Sequence, residues 1–161
     1  MLDIVELNMD MAYAIHTNSL DKDTRRFLPD EVFETVDEAR SVISELISCY
    51  SQKDAPQVYA VVLDDSQVIG YVQAVPIDGA WEVGYKIAMA HTGRGYATQA
   101  LKIFLPQIME RLAITQIYGV TRADNPASCK VLKKCGFTLE FEGIGKYQGS
   151  KRPIRRYRLD I

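Results

Sequence analysis

At 161 residues, with 47% hydrophobic and 25% charged side chains, the chain has the composition of one globular domain with little room for a second. Its formal charge of −2 at pH 7 says little by itself, and no apolar run reaches the roughly 18 residues that a membrane helix needs. The cysteines Cys49, Cys129 and Cys135 are odd in number and lack CxxC spacing, so neither a disulfide framework nor a zinc site is expected and a reducing cytoplasm fits.

Residues 1–6 lack a basic patch followed by an apolar stretch and do not read as a secretory signal, while residues 2–7 alternate as a first strand does. Residues 9–20 are a candidate helix, and the polar stretch 21–26 reads as a loop. Thr35-Val36-Asp37-Glu38 has the form of a capping box. Ala39, Val42, Ile43, Leu46, Ile47 and Tyr50 then fall on one 3.6-residue stripe, which predicts an amphipathic helix. Residues 57–63 and 68–75, rich in Val, Ile and Tyr, are strands joined by a turn at 64–67. A second turn at 76–79 leads into a strand over 80–88. Gly93-Arg94-Gly95 opens a helix with its apolar face at Ala97, Leu101, Phe104, Leu105, Ile108 and Leu112, which Pro106 should kink or split. Residues 115–120 form a short buried strand. Asn125-Pro126 begins another helix, Asn as its cap and Pro at the first helical position, and Gly136 stands where a left-handed residue would end it. Residues 137–143 and 154–160 complete a mixed α/β sheet with helices on both faces.

Charge is unevenly spread: residues 1–50 carry 4 Lys/Arg against 11 Asp/Glu, and the remainder carries 15 against 10. Either this is surface scatter, or an acidic half attracts a cationic substrate while a basic half receives a polyanion.

The passage from Trp81 to Thr98 runs strand, glycine turn, helix. Glycines let the backbone turn tightly and approach a ligand. The first N–H groups of the helix have no internal partner, and its dipole adds positive charge there, so the turn is suited to phosphate. A P-loop would need GxxxxGK[ST], which is absent. A dinucleotide fold would need a small residue at Thr98 and an acid ending the next strand, and neither is present. A helix merely begun by glycines stays open on these residues alone.

The flanks carry a resemblance to GNAT acetyltransferases. Thr92-Gly93-Arg94-Gly95-Tyr96-Ala97 is similar to their Q/R-x-x-G-x-G/A motif. Asn125-Pro126-Ala127-Ser128 followed by Lys134-Cys135-Gly136-Phe137 resembles the N-x-x-S…K-x-G-F stretch of the Rim-type branch, and Glu82-Val83-Gly84-Tyr85 its E-I-G-Y strand. The resemblance covers about residues 57–143. It implies a mostly antiparallel mixed sheet with a splayed cofactor-binding strand. It also implies that backbone N–H groups of Gly93, Arg94, Gly95, Tyr96 and Ala97 cradle the pyrophosphate of acetyl-CoA, with the Thr98 hydroxyl adding to them. Lys86, Ile87 and Ala88 would pair with the pantetheine arm and polarise the thioester carbonyl, and Asn125 would bond that arm. Ser128 is the implied proton donor to the departing thiolate.

A protonated amine must lose a proton before it attacks, so a base is required. Glu82, on the strand leading to the cofactor site, is the first candidate; Tyr147 and Glu142 come second. A solvent-facing Glu82 and an ordinary first-turn Ser128 are the structural alternatives. Two departures from the family pattern stand out. Thr92 replaces the usual Arg or Gln, with His91 as a substitute contact, and the segment from Lys151 to Arg158 is unusually basic. With Tyr157 its only aromatic, that segment reads as a solvated hairpin face and not as a nucleic-acid surface. Residues 27–33 are expected to wall an acceptor groove. The expectation is a cytoplasmic N-acetyltransferase, monomer or homodimer, with no metal and no nucleic-acid or membrane partner. It would acetylate a peptide N-terminus or a small amine by direct attack. The reading from another class is a CoA-binding regulatory domain without turnover.

Overall fold

The computed structural model describes residues 1–161. Strand β1 (Leu2–Glu6) is followed by three helices, α1 (Ala12–Ser19), α2 (Lys22–Phe27) and α3 (Val36–Cys49). Then come β2 (Gln57–Leu63), β3 (Gln67–Ile77), β4 (Ala80–Ile87), α4 (Tyr96–Leu112), β5 (Gln116–Arg122), α5 (Pro126–Lys134), β6 (Thr138–Tyr147) and β7 (Ser150–Asp160). Single 3-10 turns lie at Met9–Met11, Pro29–Glu31 and Met89–His91. No helix is long and apolar enough to cross a membrane.

The strands form one seven-stranded sheet in the order β1-β2-β3-β4-β5-β7-β6. Every pairing is antiparallel except β4 with β5, which is parallel and registers only Glu82 with Tyr118 and Val83 with Gly119. Beyond Val83 the two central strands part, which is the splay expected of a cofactor-binding strand.

Period-two alternation divides the core. Val58, Ala60 and Val62 of β2 meet Ala12 and Ile43 of α1 and α3 on one face. Val61, Ile69, Val72, Val83 and Ile87 meet Leu101, Phe104, Leu105 and Ile108 of α4 on the other. Each such side chain contributes about 1.5–3 kcal/mol when fully buried.

Four expectations are corrected. The polar stretch 21–26 is largely helical: Asp21 accepts from the Thr24 N–H and hydroxyl, both at 2.8 Å, and caps α2. The turn expected at 76–79 is confined to Asp78 and Gly79, both at positive φ, while Pro76 and Ile77 remain in β3 opposite Trp81 and Ala80. This two-residue hairpin turn matches the twist of the strands it joins. Pro106 does not split α4, which is helical from Tyr96 to Leu112. Pro106 and Lys102 both face solvent, so water can satisfy the carbonyl that the proline leaves unpaired. Last, β6 and β7 run well past the expected 143 and 154, closing at Gln148 and Gly149.

Candidate active site

The path to the site begins at the end of β4. Lys86 and Ile87 pair with Tyr71 and Gly70 of β3, and the Ala88 N–H donates to the Ile69 carbonyl at 2.7 Å. That bond removes Ala88 from the backbone donors expected to face a ligand. Antiparallel alternation turns the N–H of Ile87 the other way, into the opening between β4 and β5.

Gly93 and Gly95 have φ of 78° and 80°, values that L side chains avoid, and a Cβ at either would meet no atom within 4 Å. The glycines serve the turn and leave open space over the start of α4, whose cap Gly95 has no side chain to engage the first N–H groups. A cavity of about 520 Å³ lies there, lined by Lys86, Ile87, Gly93, Gly95, Tyr96, Ala97, Thr98, Asn125 and Ser128. Nine of the expected residues thus converge on one cavity; Ala88 and Arg94 are not in its lining. Thr92 turns its hydroxyl onto the Met89 carbonyl at 2.8 Å, so it does not replace an Arg or Gln reaching outward. His91 stands in the cavity wall. Sequence reasoning missed Lys130 and Lys134, which line the same cavity from α5. Their i, i+4 spacing on the helix that Asn125 caps was the available signal.

Across β4 lies a second cavity of about 810 Å³, lined by Glu31, Gln73, Glu82, Tyr85, Ser128, Tyr147 and Arg156 among others. Leu28, Tyr85, Ser128 and Tyr147 belong to both linings, so the two cavities meet at these side chains. Burial pushes the Glu82 carboxyl up, Arg156 opposes that, and Asp78 adds to it; the result lies above the ordinary carboxylate range. Arg156 stacks 4.0 Å above the Tyr118 ring and pairs with Glu140 at 3.7 Å. Tyr147 is pushed up to about 12, by burial first and by Glu31 second. Glu142 is exposed, pairs with Arg155 at 3.6 Å, and stands outside both linings.

Glu31 was not singled out in the sequence. It ends the 3-10 turn after Leu28, with Oε1 accepting from Gln73 Nε2 at 3.3 Å and Oε2 buried without a partner. Gly84 makes this possible, because a Cβ there would come within 2.7 Å of the Gln73 amide. The Tyr71 hydroxyl lies beside Glu31 without a well-aligned bond, and burial pushes the Glu31 carboxyl up despite its polar neighbours. Of residues 27–33, expected to wall an acceptor groove, Leu28 and Glu31 line this second cavity.

Ser128 is the third residue of α5, and its N–H donates to the capping oxygen of Asn125 at 3.3 Å. Its Oγ lies 2.6 Å from the Tyr85 hydroxyl. The basic C-terminal segment is largely neutralised within its own hairpin. Arg155 pairs with Glu142, Arg156 and Arg158 with Glu140, and Arg158 also with Asp160.

A family model described as acetyltransferase (GNAT) domain matches residues 5–138. The N-acetyltransferase p20 of Bacillus licheniformis is 24% identical over 123 residues, 74% of this chain and 69% of that one. Among solved structures, RimL, a ribosomal L7/L12 alpha-N-protein acetyltransferase in complex with coenzyme A, superposes with a TM-score of 0.82 at 22% identity, covering 99% of this chain and 94% of the other. The microcin C7 self-immunity acetyltransferase MccE, in complex with acetyl-CoA and AMP, gives 0.81 at 17% identity, covering 99% and 92%.

Proposed function

The chain belongs to the GNAT acetyltransferase family, and from that premise we propose that it moves an acetyl group from acetyl-CoA directly to a primary amine, with Ser128 as proton donor and Glu82 as base. One observation carries the reading. The cavity holding the glycine turn and the cavity holding the carboxylates are separate along most of their length and join at Ser128, Tyr85, Tyr147 and Leu28.

The fit to acetyl-CoA rests on this chain's own atoms. The turn at Gly93 and Gly95 leaves room for a pyrophosphate against the free N–H groups of Tyr96, Ala97 and Thr98, with Lys130 and Lys134 supplying positive charge. The pantetheine arm lies in the opening beyond Val83, where the Ile87 N–H is directed, and Asn125 offers it a side-chain amide. The thioester then reaches the junction from one side and the amine from the other. Glu82 takes the proton that the ammonium must lose. Nitrogen attacks the carbonyl carbon, the C–S bond breaks with its electron pair going to sulfur, and Ser128 donates a proton to that sulfur. Holding both reactants at the junction makes the attack effectively unimolecular.

The acceptor is a peptide N-terminus or a small amine. RimL and MccE both carry acetyltransferase names while their named targets differ, and carboxylates in a half-buried cavity suit any cationic amine. Ser128→Ala and Glu82→Gln test the assignment. Both variants should bind acetyl-CoA as the wild type does and lose about 10²-fold in amine-dependent thiol release, the scale of acid–base catalysis. Wild-type turnover in both would overturn the two roles.

A further inference from the structure

Past Val83, where pairing between β4 and β5 ends, β4 keeps its period-two alternation, and Tyr85 stands between the buried Val83 and Ile87 on the face toward α4 and α5. With β5 diverging, no neighbouring strand closes this gap. The Tyr85 side chain stands beside the opening and reaches the first turn of α5. Its hydroxyl lies 2.6 Å from Ser128 Oγ and 3.0 Å from the Ser128 carbonyl oxygen, at a point lining both cavities.

Two hydrogen-bond patterns satisfy these distances. In one, the phenol donates to the carbonyl and accepts the serine proton, which turns that proton away from any sulfur. In the other, the phenol donates to Oγ, and the serine proton is free to point into the junction. Burial pushes the Tyr85 phenol up, so it keeps its proton in either pattern.

We propose that Tyr85 is a positioning residue that donates to Ser128 Oγ and so aims the serine proton at the departing sulfur. The inference rests on Ser128 as the proton donor. As the C–S bond breaks, the Ser128 proton moves to sulfur and Oγ keeps the bonding pair. The Tyr85 hydroxyl holds the charge that develops there without giving up its own proton. The proton released by the amine leaves through Glu82 to solvent, and Oγ regains one from solvent, so the net transfer is from nitrogen to sulfur. The Tyr85 hydroxyl exchanges no proton with substrate in this scheme; it acts through Ser128.

Tyr85→Phe retains the ring and removes only the hydroxyl. Amine-dependent thiol release is compared for wild type, Tyr85→Phe, Ser128→Ala and the double variant, with acetyl-CoA binding followed by calorimetry. The expected result is a kcat loss of about tenfold or more in Tyr85→Phe, as for a hydrogen bond to a charged group. Acetyl-CoA affinity and acceptor KM should stay within about twofold of wild type. The double variant should be no slower than Ser128→Ala alone, because the phenol has no role without the serine. Full kcat in Tyr85→Phe, with Ser128→Ala impaired, overturns the positioning role alone. Losses that multiply in the double variant overturn it too, by showing independent action. Full kcat in Ser128→Ala overturns the proton-donor reading and the inference that depends on it.

Discussion

Glu82 and Glu31 line one cavity, the first from β4 and the second from the end of a 3-10 turn, and burial pushes both carboxyls up. For a general base this has a definite sign. Glu82 acts only when ionised, so kcat/KM falls as pH drops through its pKa, and burial holds that pKa above the usual glutamate value. The acid limb of the kcat/KM profile is expected above that value, and Glu82→Gln should remove it along with most of the turnover. A limb that persists unchanged in Glu82→Gln would move the base role away from Glu82. At this scale the sequence reading reached Glu82 from the strand before the glycine turn and Ser128 from the resemblance of Asn125-Pro126-Ala127-Ser128 to the Rim-type stretch, and both residues line the cavities described. Glu31 carries no such mark. Its place in the site depends on Gly84 admitting the Gln73 side chain, a contact between distant parts of the chain that no spacing encodes. The Ala88 N–H was likewise beyond the reach of spacing, since which neighbour an N–H meets depends on sheet pairing.

Among the elements, α3 and α4 could be read from their apolar stripes, and α5 from its cap and proline, because those signals are local. Helix α2 has no stripe. Its support is tertiary: Arg26 and Arg122 lie over the Phe27 ring, and Arg122 Nη1 donates to the Arg26 carbonyl at 2.8 Å. Asp21 makes the decisive connection. It caps α2 through Thr24, accepts from the Met89 N–H at 2.9 Å, and lies 3.5 Å from Lys86, so it ties the N-terminal helices to the approach of the glycine turn. Burial alone would raise its pKa, but those N–H groups, the Thr24 hydroxyl and Lys86 outweigh burial and hold it below the usual value. The stability Asp21 contributes is therefore present above its unfolded pKa and lost as pH falls through its folded one. Asp21→Ala should cost about 1–2 kcal/mol, as other lost caps do. It should also weaken acetyl-CoA binding, which thermal unfolding and calorimetry would show. An unchanged Tm would contradict the capping role; an unchanged affinity would show that the glycine turn holds its shape without Asp21.

On the scale of the whole molecule, the site exists because the sheet is continuous except at its centre. One parallel pairing, two residues long in register, joins β4 to β5 and then gives way, and the opening it leaves separates and connects the two cavities. Helices on both faces and a mixed sheet followed from strand and helix periodicity. The place of β7 between β5 and β6 did not, since strand order is a long-range property. That order also accounts for the basic C-terminal segment, whose arginines face β6 acids across the hairpin. The central claim is that acetyl-CoA and an amine meet at the junction of the two cavities. It is tested most directly by measuring free-thiol release from acetyl-CoA by the purified protein, with and without a panel of small amines and short peptides. The account predicts release that requires an amine and saturates with it. Failure of every amine to raise release above the amine-free rate, with acetyl-CoA bound, would contradict it.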